Sequence, residues 1–431
     1  MQIASSGRAP VLAPRTAGAV AAVTLSTLLV TSCATVGTGP AAASSSEVAT
    51  TTHGHVAGAT ELAEPRLGLV LAGRSGTLTL FDLLDGTGPV LPGATEVVES
   101  MAGDGRFVFP SRATGDRTTV EIVDSARWTV EHGDHFHYYR AGERVVGTIT
   151  GTGPPAVHPG DRRVAITFPA DGRVLVLAVD DLAAGTPGDP VVVNRNPHPG
   201  MFAVPFAGYL LVTTPDPAGM PAAVELLDGH GRPVEGSGTA CPNASDAATT
   251  RVGAVIACAD GAVLVTAGAG GPTAEKIGYP AGIAPAARSL DGRAGRPVLA
   301  GATDPSAGAG PTGFWQLDTR RREWTFRSTD VPLVAVSAVG DDTGLTVAVD
   351  SNGRIRVFGP DGADRGTSAP LLAGSTAGGA DRDRLRLLVD ANRAYVSGPA
   401  EGVVLEVDYR DGARIARTFD GLDPQFLERV G

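Results

Sequence analysis

The densest group of metal-binding side chains in this 431-residue sequence lies between Glu131 and Tyr139. It contains three histidines and two carboxylates, in the run Glu131-His132-Gly133-Asp134-His135-Phe136-His137-Tyr138-Tyr139. In a strand, His135 and His137 point to the same face because side chains alternate. Paired imidazoles suit a borderline metal such as zinc, with Asp134 as a further ligand or as a partner that orients an imidazole. The alternative is a polar edge strand with stacked aromatic side chains.

Two more histidines each open the same tripeptide, His158-Pro159-Gly160 and His198-Pro199-Gly200. Each tripeptide precedes an apolar strand, and the two are separated by about one repeat of the pattern described below. Equivalent positions of repeated sheets converge around a central channel. We therefore expect His158 and His198 to bind the same zinc ion as His135 and His137. The alternative is that His-Pro-Gly is loop chemistry repeated with each unit.

A third histidine pair, His53-Gly54-His55, lies in a segment near the N-terminus that is rich in small and polar residues. Alone it is a weak signal. Beside a fixed histidine site, a mobile pair would supply transient ligands and pass the metal by ligand exchange.

Signatures of common enzymes are absent from the sequence. It contains neither the G-x-S-x-G turn of serine hydrolases nor the H-E-x-x-H helix of zinc proteases. Lys276 is the single lysine available for Schiff-base chemistry. We therefore expect a binding protein and not an enzyme. The formal net charge of −11 also argues against nucleic acid as a partner.

The elements that must position these histidines are predicted to be β-strands. One unit recurs along the chain: an apolar strand, a turn such as Asp171-Gly172 or Asn352-Gly353, and a second apolar strand. Asp-Gly and Asn-Gly favour hairpin turns in which both residues take positive φ. The second strand ends at eight landmarks, near Asp82, Asp124, Asp180, Asp228, Thr266, Asp318, Phe358 and Asp408.

This spacing predicts an all-β fold for residues 66–431, a β-propeller of seven or eight blades with eight favoured. A pair of β-sandwiches is the alternative, but the repeats run evenly to the C-terminus without a linker. We expect the propeller to follow a disordered lipoprotein tether at residues 33–65, which is rich in Ala, Ser, Thr and Gly.

Residues 1–32 are typical of a bacterial lipoprotein signal peptide. Two arginines precede a short apolar stretch, which exits through Val30-Thr31-Ser32-Cys33. A basic start, a short apolar segment and small residues at the exit indicate secretion. The exit resembles a lipobox, in which Cys33 is acylated and becomes the new N-terminus. The sequence therefore predicts an extracytoplasmic protein that is lipid-anchored to the bacterial cell membrane.

Replacing Cys33 tests this anchor. The C33S variant is expected to lose its acyl chains and to leave the membrane, because no other segment of the sequence is long and apolar enough to hold it there. Detergent partitioning of wild type and variant measures the effect. A C33S protein that still partitions into detergent would show that Cys33 is not the anchor.

The remaining cysteines, Cys241 and Cys258, form a pair in a compartment that favours oxidation. A disulfide between them is the default expectation. A thiolate metal site is the weaker alternative because the spacing is not C-x-x-C.

The sequence resembles the AztD-type zinc metallochaperones, which are exported β-propellers. The specific match is the stretch from Gly133 to Tyr139. Looser similarity covers the tether histidines and three further segments, His198-Pro199-Gly200 with Phe202-Ala203-Val204-Pro205, Cys241-Pro242, and Ala257-Cys258-Ala259-Asp260-Gly261. The resemblance implies a protein that binds zinc and hands it to the solute-binding protein of an ABC importer.

Two departures from the family weaken this implication. Pro199 stands where the family has a second adjacent histidine, and a histidine expected after Cys241-Pro242 is replaced within Asn243-Ala244-Ser245-Asp246. The alternative function is a metal-free propeller that acts as a protein-interaction scaffold on the cell surface.

Overall fold

Short runs of apolar residues separated by turns fold into antiparallel strands in a computed structural model of the chain. The structure describes residues 58–132, 135–287, 289–304 and 310–431. These residues form many strands and three short helices. None of these helices is long and apolar enough to cross a membrane.

The strands are numbered in chain order. The first thirteen are β1 (Thr60–Leu62), β2 (Gly68–Ala72), β3 (Leu78–Asp82), β4 (Ser100–Gly103), β5 (Phe107–Thr114), β6 (Arg117–Asp124), β7 (Arg127–His132), β8 (His135–Arg140), β9 (Arg144–Thr152), β10 (Ala156–Gly160), β11 (Arg163–Phe168), β12 (Arg173–Ala178) and β13 (Val191–Asn194). The next eleven are β14 (Ala203–Phe206), β15 (Tyr209–Pro215), β16 (Pro221–Leu227), β17 (Thr239–Ala240), β18 (Asp246–Thr249), β19 (Ala254–Cys258), β20 (Gly261–Gly268), β21 (Gly271–Gly278), β22 (Val298–Ala302), β23 (Gly313–Asp318) and β24 (Glu323–Ser328). The last nine are β25 (Leu333–Ala338), β26 (Thr346–Asp350), β27 (Arg354–Phe358), β28 (Asp364–Pro370), β29 (Leu387–Val389), β30 (Ala394–Gly398), β31 (Val403–Asp408), β32 (Arg414–Phe419) and β33 (Phe426–Val430). The helices are α1 (Val179–Ala184), α2 (Ala373–Thr376) and α3 (Ala380–Arg384).

Eight antiparallel sheets form the blades of a propeller. From blade 1 to blade 8 their strand orders are β33-β2-β3, β4-β5-β6-β9, β10-β11-β12-β13, β14-β15-β16-β17, β18-β19-β20-β21, β22-β23-β24, β25-β26-β27-β28 and β29-β30-β31-β32. In blade 1 the C-terminal strand β33 pairs with β2, with Leu69 opposite Arg429. This pairing joins the two ends of the propeller and closes the ring. The predicted β-propeller is confirmed, and of the two predicted blade numbers the favoured one, eight, is found.

The hydrophobic core consists of eight clusters of buried side chains among the described residues, and each cluster fills the space between two neighbouring blades. Between blades 7 and 8, for example, Val347 and Val357 pack against Val396 and Leu405. Each such side chain contributes about 1.5–3 kcal/mol on burial. The apolar strands of the repeat are therefore buried on both faces, which explains why they are nearly continuous apolar runs.

The hairpin turns differ from the expected geometry. Gly172 and Gly353 have positive φ, at 63° and 77°, whereas Asp171 and Asn352 do not. The turns are therefore not type I′ turns, which need positive φ at both central residues. A side chain at Gly172 would collide with the backbone, because its Cβ would lie 2.2 Å from the carbonyl oxygen of Arg195.

The predicted disulfide is present and lies in the core between blades 4 and 5. Cys241 and Cys258 are bonded, with their Cα atoms 5.0 Å apart. Both cysteines belong to the buried cluster that joins these blades. The bond therefore links the outer edge of blade 4 to the second strand of blade 5.

One hairpin does not belong to any blade. Strands β7 and β8 are inserted between β6 and β9 of blade 2, and they form a separate three-stranded sheet with β1. In this sheet Glu61 of β1 lies opposite Tyr139 of β8. Residues 60–62 fall within the predicted tether of residues 33–65, so the last part of that segment includes a strand. The composition of the segment did not reveal this strand, because its stability comes from pairing with a distant hairpin.

Candidate metal site on the inserted hairpin

The inserted hairpin carries the predicted histidine pair. His135 and His137 lie on β8, and their Nε2 atoms are 3.0 Å apart. Two nitrogens bound to one tetrahedral zinc ion at 2.0–2.1 Å would be about 3.3–3.4 Å apart. At 3.0 Å the two atoms share a hydrogen bond, so an ion between them requires the rings to separate by a few tenths of an ångström and the shared proton to leave. Strand alternation places both imidazoles on one face, as predicted.

A carboxylate that the sequence did not identify supports this pair. The Nδ1 atom of His137 lies 2.6 Å from the Oε1 atom of Glu61. Because a carboxylate only accepts hydrogen bonds, Nδ1 carries the proton and Nε2 of the neutral ring keeps its lone pair. Carboxylate, histidine and metal are arranged in this order in many zinc sites. The only sequence signal for Glu61 is Thr60-Glu61-Leu62, which is too short to predict a strand.

A column of stacked rings continues from the histidine pair toward blade 2. His137 stacks on Tyr139 with ring centroids 6.3 Å apart, and Tyr139 stacks on Trp128 at 5.4 Å. The guanidinium of Arg106 lies 3.7 Å from the centre of the Trp128 ring. Burial, and then the negative charge of Glu61, raises the pKa of the Tyr139 hydroxyl. Tyr139 therefore packs beneath the pair, and its hydroxyl stays protonated. The stacked rings of the alternative are therefore present beside the histidine pair, but β8 is the central strand of its sheet, between β1 and β7, and not a polar edge strand.

The base of the hairpin is held by buried ion pairs. Asp82 of β3 accepts hydrogen bonds from Arg127 at 2.7 Å and from Arg66 at 2.8 Å. Arg127 begins β7, and Arg66 lies between β1 and β2. A second buried pair, Arg106 with Asp124, lies at the end of β6. Asp82 thus fastens both the hairpin and the chain that follows β1 to blade 1.

The histidines of the two His-Pro-Gly segments lie together in a different place. His158 and His198 line a mainly apolar cavity of about 690 Å³, together with Pro154, Pro155, Ala156, Pro169, Ala170, Pro197, Pro199, Gly200, Met201, Phe202, Ala244 and Ser245. His198 is buried, and both of its ring nitrogens lie within hydrogen-bond distance of a partner. Its Nδ1 lies 2.9 Å from the Asn196 carbonyl oxygen, and its Nε2 lies 3.2 Å from Thr213 Oγ1.

Unlike the ring of His198, the buried ring of His158 leaves one nitrogen without a hydrogen bond. Its ring packs against Phe202, with centroids 5.1 Å apart. Its Nδ1 atom is buried and makes no hydrogen bond. Burial lowers the pKa of His158 to about 4, so the imidazole is neutral at physiological pH.

The positions where the sequence departs from the metallochaperone family line this same cavity. Pro199, Ala244 and Ser245 stand beside the two histidines. Asp246, the carboxylate that follows Ser245 in the sequence, accepts hydrogen bonds from the N–H groups of Ala247 and Leu290. Burial raises the pKa of Asp246 to about 6. The cavity thus has two histidines and mainly apolar walls.

The two histidine groups do not converge. Neighbouring strands of a blade run in opposite directions, so the connection from the third to the fourth strand opens on the face opposite to the turn between the second and third strands. The hairpin with His135 and His137 is inserted between the third and fourth strands of blade 2. The cavity with His158 and His198 is lined by the turn between the second and third strands of blade 3, at Pro169, and by links between blades. A ring of blades brings equivalent positions together, but these positions are not equivalent.

Several predicted site residues lie outside the described residues, namely Asp134, His53, His55 and the lipidation site Cys33. Within residues 58–132, 135–287, 289–304 and 310–431, no group of three or more His, Cys, Asp and Glu side chains is arranged to hold a metal ion. The hairpin site therefore offers two imidazole ligands from described residues. Any further ligand would come from outside these ranges or from a partner.

Comparisons with known proteins agree with the architecture. No family model matches the sequence, and no curated protein matches it. Solved structures with a similar fold are β-propellers. The chain is similar to the crystal structure of AztD from Citrobacter koseri, at 19% sequence identity with a TM-score of 0.70, covering 85% of this chain and 97% of that one. The apo structure of the same AztD gives 17% identity and a TM-score of 0.68, covering 85% and 98%.

A second kind of propeller is similar at a lower level. The dihydro-heme d1 dehydrogenase NirN matches with 13% identity and a TM-score of 0.52, covering 86% of this chain and 80% of that one. The AztD-type fold expected from the sequence is thus found. Because a dehydrogenase shares the propeller architecture, the fold alone does not separate binding proteins from enzymes.

Proposed function

We propose that this protein is an extracytoplasmic lipoprotein that binds zinc at the inserted hairpin and delivers it to the solute-binding protein of an ABC importer. The observation that carries the proposal is the pair of Nε2 atoms 3.0 Å apart on His135 and His137. The Glu61 carboxylate behind His137 supports it, because it leaves the metal-facing nitrogen unprotonated. The AztD-type fold and the resemblance of the hairpin motif point to the same function.

The number of ligands suits delivery. Structural zinc sites are closed by four ligands, whereas a site that must release its ion can keep one position open. Two hairpin imidazoles with Asp134 would leave one position for a residue of the partner. The tether histidines His53 and His55 would act as transient ligands, affecting the rate of transfer more than the equilibrium affinity.

Zinc titration of the untagged mature protein tests this function. We expect about one zinc ion per chain, and transfer to the zinc-free binding protein that continues when a chelator captures free zinc. Mature protein without any histidine tag must be used, because a tag would bind zinc itself. Binding no tighter than at a generic surface histidine would contradict the proposal. A metal-free interaction scaffold would then take its place.

A further inference from the structure

We infer that Glu61 is the positioning residue of the hairpin zinc site, so that the site is complete only while strand β1 is paired with β8. The inference rests on the proposed function, and it adds a residue and a means of regulation to it. Glu61 comes from a segment that composition alone marks as a tether. Its carboxylate nevertheless makes a close side-chain contact with one of the two histidines.

The carboxylate determines which nitrogen of His137 is available. By accepting a hydrogen bond from Nδ1–H, with Nδ1 and Oε1 2.6 Å apart, Glu61 favours the tautomer whose Nε2 atom carries a lone pair toward His135. The same hydrogen bond fixes the orientation of the ring. Without Glu61, the ring would lose this preference for one tautomer and a restraint on its orientation.

The contact between Glu61 and His137 contributes little to folding stability. The Glu61 side chain is 45% exposed, and exposed ion pairs contribute only about 0–1 kcal/mol. Backbone pairing holds Glu61 in place instead, with Thr60, Glu61 and Leu62 opposite Arg140, Tyr139 and Tyr138. The contact therefore matters for the state of the imidazole more than for the fold.

The short length of β1 makes zinc affinity dependent on whether this strand stays paired with β8. The strand has three residues, and in the sequence it follows the segment that carries His53 and His55. A three-residue edge strand separates more readily than the inner strands of the blades, such as β2 and β26, which are buried along their whole length. Displacement of β1 would remove Glu61 from His137 and weaken zinc binding.

Substitution of Glu61 in the full mature chain tests the inference. We expect E61A to weaken zinc binding about 10–100-fold, the range typical for loss of a carboxylate behind a metal-binding histidine. The E61Q variant should lose less, because its uncharged amide oxygen still accepts a hydrogen bond from Nδ1–H. The matched control is E64Q, which removes an exposed negative charge from the same segment. It should bind zinc like wild type.

A measurement without metal separates this inference from the proposed function. Nitrogen NMR of ¹⁵N-histidine-labelled protein at about pH 8, where an ordinary imidazole is neutral, should show His137 protonated at Nδ1 in wild type, and a shift toward the other tautomer in E61A. If wild type binds no zinc, the proposed function fails, whatever the tautomer. If wild type binds zinc but E61A binds equally well and His137 keeps its tautomer, the role of Glu61 is refuted while the zinc function stands.

Discussion

The double variant H135A/H137A is expected to lose specific zinc binding, with a fall in affinity of more than about 100-fold. Loss of a supporting carboxylate alone costs up to about that factor, and this variant removes both imidazole ligands. Zinc titration against a competing chelator measures the effect on untagged protein. The melting temperature in excess chelator should match that of wild type, because the two side chains lie on a hairpin outside the blades.

Two controls make the result specific. H230A removes an exposed histidine in a surface turn and should leave zinc affinity unchanged. H158A removes a histidine of the apolar cavity, on the opposite face of the propeller, and should also leave the hairpin site unchanged. If H158A abolished the same binding event, the separation of the two histidine groups would be refuted. Zinc binding that survives in H135A/H137A at wild-type affinity would place the site elsewhere.

Replacing Asp82 is expected to cause a large loss of stability. D82A should lower the free energy of unfolding by about 3–5 kcal/mol, because it leaves the guanidinium of Arg127 buried without its partner. Side-chain exposure is only 4% for Asp82 and 8% for Arg127. Urea denaturation measures the change. The matched control is D85A, which removes an exposed carboxylate that also pairs with Arg66 and should cost less than about 1 kcal/mol.

The Asp82 carboxylate also predicts how the stability of the protein depends on pH. Burial raises the pKa of Asp82, but hydrogen bonds from two arginines and from the Leu84 N–H outweigh it and hold the pKa below its usual value of 3.8. A lowered folded-state pKa stabilises the protein above the unfolded value, and this contribution is lost as the pH falls through the folded value. D82A should therefore show a smaller loss of stability than wild type on acidification below about pH 4. Equal costs for D82A and D85A, or parallel acid profiles, would contradict this role.

The propeller architecture was predictable from the chain alone, since local patterns carry that information. Apolar strands joined by Gly-containing turns recur at blade spacing, and each blade must bury both faces against its neighbours. The disulfide was equally accessible, because Cys241 and Cys258 are the only pair left once Cys33 is assigned to lipid. Strand alternation also placed His135 and His137 on one face, since that depends only on the two-residue period of a strand.

The grouping of the histidines, by contrast, depends on how the blades are connected in space. His158 and His198 share a cavity on the face opposite to the hairpin, because the direction of each connection within a blade follows from topology that spacing does not reveal. Glu61 reaches His137 across 76 residues of sequence through the pairing of β1 with β8. A strand of three residues has no periodicity to detect, and its stability depends on a distant partner. The pair of imidazoles was therefore predictable from the sequence, whereas the carboxylate that orients one of them was not.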